Sequence, residues 1–382
     1  MRTLVRRLHN LAVFLAAYAM ALALSRSLVG TPPQRILLIP AGKLGDVVCT
    51  TPVMRAIKQH LPDAKLYIRE YGGVNAALLA DSGLADGYLD VVTTRDYVRE
   101  LRRLRIDSVL MTGPSLEDVA AALLARVPRI VAPRVMGGYC PQQTRPYLWL
   151  LRFIQAFPYG MESYAPRERL RVLEPLGIYT DDTTKHLGFS NSARASVATF
   201  LSESNFAARP FAIVSPSAGN KIKNWPADRF ARVAEHLAAR GMPVIIIGTR
   251  RDRAEVQAMK DALKDSSHII NASEQMSLDE LKALIARAAL FVSVDTGPLY
   301  IAEAFGVPTV DIVGPVDERV QPPIGLRHTV VVPLRERPQL YIMNARMYDE
   351  AEARRQTESI SVEHVCTAID TLMHTVERRP FP

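Results

Sequence analysis

The feature that most constrains the fold of this chain is a repeated change of period. Short runs rich in β-branched residues alternate with helical stretches from residue 34 onward, in two series. In the first, "RILLIP" (35–40), "KLYIRE" (65–70), "DSVLMTG" (107–113) and "RIVAP" (129–133) read as strands, and "TPVMRAIKQHL" (51–61) reads as an amphipathic helix. In the second, the strands are "PFAIVSPSAG" (210–219), "MPVIIIG" (242–248), "HIIN" (268–271), "ALFVSV" (289–294), "PTVDIVG" (308–314) and "TVVVP" (329–333). Helices intervene at "PADRFARVAEHLAARG" and at "MSLDELKALIARA", where Ser277 and Glu280 form a capping box. Strand–helix alternation predicts parallel sheets covered by helices on both faces. A chain of 382 residues exceeds what one core organises, so two such units are expected.

The stretch 134–209 joins the series and is irregular, with "GGYCPQQTRPYLWLLRFIQAFPYG" mixing aromatics, Arg and Pro. A hinge is placed near 190, on "HLGFSNSARAS". The tail 346–377 reads as helix with a break near "SISVEH". The expected organisation is therefore a hydrophobic membrane-associating segment over 1–30, an N-terminal unit over 31–190, a C-terminal unit over 191–345 and a helical tail over 346–382.

Residues 1–30 contain Arg2, Arg6, Arg7 and Arg26 and no acid, and so supply +4 of the net +8. The remaining +4 is modest for so large a body and does not indicate nucleic-acid binding. The basic cluster "VRELRRLR" (98–105) reads first as a solvated helix face. Cys49, Cys140 and Cys366 are widely spaced, without a CxxC pair, which argues against a disulfide framework or a structural zinc site.

Fourteen apolar residues, Leu11 to Leu24, follow the first three arginines. As a helix this run spans about 21 Å, short of the roughly 30 Å hydrocarbon core of a bilayer. Three readings fit it: a cleaved signal peptide, with Ala21-Leu22-Ala23 as the processing site, a short uncleaved anchor, or a helix lying in the interface. The basic flank favours retention at the cytoplasmic face of the membrane.

Three strand-to-helix junctions concentrate the polar residues. In "IPAGKLGDVVCTTPV" (39–53), Gly42 and Gly45 let backbone approach a ligand, and Asp46 follows directly. GxGxxG and GxxxxGK are both absent, so this is neither a dinucleotide fingerprint nor a P-loop. Asp46 reads either as a helix cap or as a base. In "SPSAGNKIKNWPADRF" (215–230), Lys221 and Lys223 read either as solvated loop lysines or as groups that neutralise phosphate oxygens, and Trp225-Pro226 sets the start of the next helix. In "SVDTGPLY" (293–300), Asp295, Thr296 and Gly297 precede a helix whose N-terminus suits an anion. A single DTG among alternating strands and helices excludes the all-β aspartic proteases.

In order and content the three junctions resemble glycosyltransferase family 9, the heptosyltransferases. The similar blocks are "ILLIPAGKLGDVVCTTPVMRAIKQHLPDAKLYI", "SPSAGNKIKNWPADRFARVAEHL" and "MSLDELKALIARAALFVSVDTGPLYIAEAFGVPTVDIVGPVD", with "ISVEHV" echoing the last helix. The resemblance implies a GT-B fold, two Rossmann-like α/β domains facing a central cleft. It also implies inverting, metal-independent transfer of a sugar, typically heptose from ADP-heptose, with no cofactor beyond the nucleotide-sugar donor. The implied acceptor is a lipopolysaccharide-core or other lipid-linked glycan, at the cytoplasmic face of the bacterial inner membrane. Asp46 would be the general base and Lys223 the diphosphate ligand. Ser217, Asp295, Thr296, Gly297 and Tyr300 would line the donor pocket. The chain departs from the family at Tyr300, where a histidine is usual, and in "NARMYDEAEARRQTES", which replaces a cysteine-rich stretch. Tyr300 is expected to replace a phosphate-contacting side chain and to weaken donor binding. Two alternatives stay open. One is a nucleotide-sugar epimerase of similar shape, which leaves Asp46 without a role. The other is a donor-binding homologue that has lost turnover.

Overall fold

The computed structural model describes residues 2–23, 32–341, 343 and 347–378. The chain divides into two compact units, Met1–Thr184 and Lys185–Pro382. The division falls ahead of the hinge expected near 190. Ser190 there accepts the N–H of Ala193 and caps a helix, Asn191–Glu203, that belongs to the second unit.

The first unit holds six strands: β1 (Arg35–Ile39), β2 (Lys65–Glu70), β3 (Gly87–Asp90), β4 (Ser108–Met111), β5 (Arg129–Met136) and β6 (Gln155–Gly160). They form one sheet in the order β3-β2-β1-β4-β5-β6. Every pairing is parallel, with Leu37 on β1 opposite Tyr67 on one side and Val109 on the other. The second unit holds β7 (Ala212–Ser215), β8 (Val244–Ile246), β9 (Ile269–Asn271), β10 (Leu290–Val294), β11 (Thr309–Ile312) and β12 (His328–Val331). Its order is β12-β11-β10-β7-β8-β9, again all parallel. Read from the first strand of each unit, the two sheets have the same order. In each, the chain reverses its direction of winding between the first and fourth strands. That is the switch point, where the loops at the strands' carboxyl ends part and leave a crevice.

Central strands buried on both faces read as unbroken apolar runs. Ile36, Leu37 and Leu38 on β1, like Phe291 and Val292 on β10, have no exposed surface. Each such side chain contributes roughly 1.5–3 kcal/mol by leaving water. The region expected to be an irregular connection contains β6, the sixth strand of the first sheet. The tail is two helices, Glu350–Glu358 and Val362–Arg378, broken at 359–361 as its sequence suggested.

The N-terminal run forms a helix, Arg2–Ala23. Phe14, Ala17 and Ala21 lie on one face and pack into the core around the helix Leu116–Ala125. Tyr18 meets Phe153 edge-on at 5.4 Å, and Phe14 lies 6.2 Å from Trp149. Leu11, Leu15 and Leu22 remain exposed. Among the described residues no helix is long and apolar enough to cross a membrane. Residues 24–30 of the expected segment, and residues 344–346 of the stretch that departs from the family, lie outside the described residues.

Candidate functional site

In the first unit the switch point lies beyond β1 and β4, whose loops are tied where the Ala41 N–H donates to Thr112 Oγ1 at 2.9 Å. The chain turns at Gly42 with φ +84°, and a Cβ there would stand 2.0 Å from Asp46 Oδ2, so a side chain would displace the carboxylate. Gly45, expected as a loop glycine, instead lies inside the short helix Leu44–Val48. Asp46 is the third residue of that helix, and its Oδ2 accepts the N–H of Lys43 at 2.9 Å. The capping role is therefore present, from inside the first turn and not from the N-cap itself. Capping uses one carboxylate oxygen.

The other oxygen is held by a residue that sequence reasoning missed. Arg169, on the helix Ala165–Leu170, donates from Nη2 to Asp46 Oδ1 at 2.7 Å and from Nη1 to the Asp46 carbonyl at 3.1 Å. Its side chain is fully buried, whereas that of Asp46 keeps 21% of its surface exposed. Burial works against the guanidinium charge, but the Asp46 carboxylate outweighs it and raises the Arg169 pKa. The pair thus presents a carboxylate of fixed orientation at the sheet's carboxyl edge, open to solvent on one side. Such a group can accept a proton from a substrate hydroxyl. Tyr159 lies in the same field, its phenol pushed up chiefly by burial, and its buried hydroxyl has no hydrogen-bond partner among the described residues.

In the second unit the switch point lies beyond β7 and β10. Lys223, in the turn Lys221–Lys223, donates to Asp295 Oδ2 at 2.6 Å and lies 3.4 Å from the Asp295 carbonyl. Tyr300 donates its hydroxyl to Asp295 Oδ1 at 2.5 Å and is 3% exposed. Burial opposes the Asp295 charge, and Lys223 with Tyr300 overcomes it, so its carboxyl lies below the ordinary range. Thr296 is the N-cap of the helix Gly297–Ala304, and its side chain makes no cap bond. The first-turn N–H groups of that helix and the ammonium of Lys223 lie at this edge, and groups of this kind can bind an anion.

Three of the side chains expected to face the donor have partners within the protein. The Lys221 ammonium contacts Ser217 Oγ at 2.8 Å, the Arg251 carbonyl at 3.3 Å, Asp252 at 3.0 Å and Glu255 at 2.9 Å. Ser217 donates to Asp252 Oδ1 at 2.6 Å, which places its hydroxyl in this network. Burial opposes the Asp252 charge, but Ser217, Thr249 and Lys221 bring its pKa down to about 2, so the network stays charged at any physiological pH. Tyr300, in turn, spends its hydroxyl on Asp295. Trp225 is buried with its indole N–H on the Ile360 carbonyl, and Pro226 is the N-cap of Ala227–Ala239.

Two doubly wound units of identical strand order, each with a charged constellation at its switch point, make up a GT-B-like α/β fold. Glycosyltransferase family 9 (heptosyltransferase) matches residues 99–345, and the chain belongs to that family. It is therefore a glycosyltransferase. It is 26% identical over 291 residues to lipopolysaccharide heptosyltransferase 3 of Escherichia coli K12, covering 72% of this chain and 80% of that protein. Its fold is similar to the solved E. coli ADP-heptose lps heptosyltransferase II, with a TM-score of 0.72 at 17% identity over 90% of this chain and 100% of the other. It is also similar to the E. coli heptosyltransferase WaaC with ADP, with a TM-score of 0.62 at 17% identity over 89% and 100% of the two chains.

Proposed function

We propose that the protein is an inverting, metal-independent heptosyltransferase. It moves heptose from ADP-heptose to a lipopolysaccharide-core or related lipid-linked acceptor. The observation that carries this reading is the Lys223–Asp295 ion pair at the second switch point, beside a helix N-terminus, where sheets of this order take nucleotides. The solved relative with ADP supports the choice of nucleotide, and the curated relative supports the acceptor class. Lys223 binds the diphosphate, and Thr296 and Gly297 offer donors to its oxygens. Asp295 positions Lys223. In the first unit Asp46 removes the proton from the acceptor hydroxyl while Arg169 fixes its orientation.

The location that fits is the cytoplasmic face of the inner membrane. Support comes from the exposed Leu11, Leu15 and Leu22 on a helix whose other face is packed on the first unit, and from four arginines without an acid in residues 1–30.

A thermal-shift screen of ADP-, UDP-, GDP- and CMP-linked sugars tests the donor, followed by transfer assays on heptose-deficient core acceptors. At 100 times its dissociation constant the correct donor stabilises by about 2.7 kcal/mol. Stabilisation by a UDP-, GDP- or CMP-sugar and not by ADP-heptose would replace the donor assignment.

A further inference from the structure

Strand β11 carries one acid. Its Val310 and Ile312 join the core cluster that contains Val365 and Ile369 of the helix Val362–Arg378. Asp311 has the opposite parity and points to the other face, beside Ser293 in the β10–β11 register. It is 2% exposed, and its Oδ1 has no hydrogen-bond partner among the described residues. The charged groups acting on it are Asp295, Lys223 and Glu303. Burial first, then the Asp295 carboxylate, push the Asp311 acid well above the usual carboxyl range.

The neighbouring side chains on this wall have bonds of their own. Glu303, on the helix Gly297–Ala304, pairs with buried Lys185 at 2.6 Å and accepts the Ile324 N–H at 3.3 Å. Tyr300, on the same helix, is bonded to Asp295. His328 on β12 bonds Thr309 through Nδ1, and burial holds its imidazole down to about 4, hence neutral. Arg327 donates to the Gly306 carbonyl. Three carboxyl groups thus face two ammonium groups. Lys185 matches Glu303, and Lys223 is left with both Asp295 and Asp311.

A nucleoside diphosphate adds negative charge at Lys223, and Lys221 is committed to Asp252 and Glu255. Once Lys223 is shared with phosphate, the Asp295 carboxylate is left poorly matched in the field of the buried Asp311 acid. Leaving a buried charge unpaired is costly, and a proton relieves it. We propose that a nucleoside diphosphate binds at Lys223 together with one proton, taken up by the Asp295–Asp311 carboxyl pair. This rests on Lys223 being the diphosphate ligand. It assigns Asp311 as a positioning residue that acts through Asp295.

The test is calorimetric titration of the full chain with ADP, in buffers of different ionisation enthalpy, between about pH 6 and 9. The wild type takes up close to one proton per ADP in the upper part of that range. Asp46→Asn, in the other unit, leaves the uptake unchanged, and Asp295→Asn abolishes it. Tyr300→Phe keeps Lys223 and both carboxyls but removes a hydrogen bond that holds Asp295 ionised, so its uptake curve moves to higher pH. ADP binding without net proton exchange in the wild type, or an unmoved curve in Tyr300→Phe, overturns the proposal. Lys223→Ala separates the two levels. If it leaves ADP affinity unchanged, the diphosphate assignment itself has failed. If affinity falls while the wild type exchanges no proton, only the proton coupling has failed.

Discussion

The two units share a strand order and a switch point, and each places an aspartate there, but they hold it with different cations. Asp46 is gripped by Arg169, a buried guanidinium that reaches both its carboxylate and its carbonyl. Asp295 is gripped by Lys223, an ammonium on a flexible stem with 21% of its side chain exposed. A guanidinium is a rigid fork that keeps its charge in any protein, whereas an ammonium is a point charge that turns readily toward another anion. On the proposed function, one pair orients a carboxylate that acts itself, and in the other the cation changes partners when a phosphate arrives.

If this contrast is right, the largest effect comes from Asp46→Asn. The side chain keeps its size and loses its ability to take a proton, so turnover falls by ~10²–10⁴-fold. ADP affinity, measured by calorimetry on the same variant, stays at the wild-type value. Wild-type turnover in initial-rate assays would leave Asp46 a structural role alone, capping the Lys43 N–H and pairing with Arg169. Arg169→Lys sharpens the same point. The charge survives but the two-pronged hold on Asp46 is lost, and a misplaced base costs up to ~10²-fold in kcat with KM little changed. A loss of thermal stability without the kcat-specific loss would make Arg169 a structural residue only.

Most of the sheet was legible because its central strands are continuous apolar runs. The two strands that escaped, "GYLD" and "QAFPYG", are β3 and β6, the edges of the first sheet. An edge strand tolerates the Gly87, Pro158 and Gly160 that read as loop signals, because one row of its backbone groups needs no strand partner. The site was legible where it is local. Asp46, Lys223 and Asp295 stand at strand ends, and each could be found from its own junction. Arg169 could not. It lies 123 residues from Asp46, in "PRERLRVLEPL", where arginines alternating with acids look like a solvated helix face. Asp311 left a readable trace, a lone acid inside the β-branched run "PTVDIVG", in a strand expected to be buried on both faces. The partners of Lys221 were hidden for a related reason: Asp252 and Glu255 lie some thirty residues further on.

The lysines provide the next comparison. Lys223→Ala removes a charge-assisted phosphate contact worth roughly 1.5–3 kcal/mol, which weakens ADP binding 10-fold or more. Lys221→Ala, two residues away, removes bonds to Ser217, the Arg251 carbonyl, Asp252 and Glu255 and leaves ADP affinity within about twofold, since an exposed pair contributes little. Equal losses in the two variants, read by calorimetry, would mean that both lysines serve the donor.

The smallest effect is expected at Tyr300. Its hydroxyl is committed to Asp295, so Tyr300→Phe removes a hydrogen bond to a charged group and no phosphate contact, at a cost of about 1.5 kcal/mol in stability near neutral pH. The pH dependence has a definite sign. The Asp295 carboxyl is lowered in the folded protein, so its contribution is present above the unfolded value of about 3.9 and is lost as pH falls through the folded value. Removing the Tyr300 bond lessens that lowering. The stability gap between wild type and Tyr300→Phe in urea titrations is therefore widest near neutral pH and narrows on acidification. A gap that is constant with pH would mean that Tyr300 contributes only by packing. A gap accompanied by a 10-fold loss of ADP affinity would restore the hydroxyl as a donor contact.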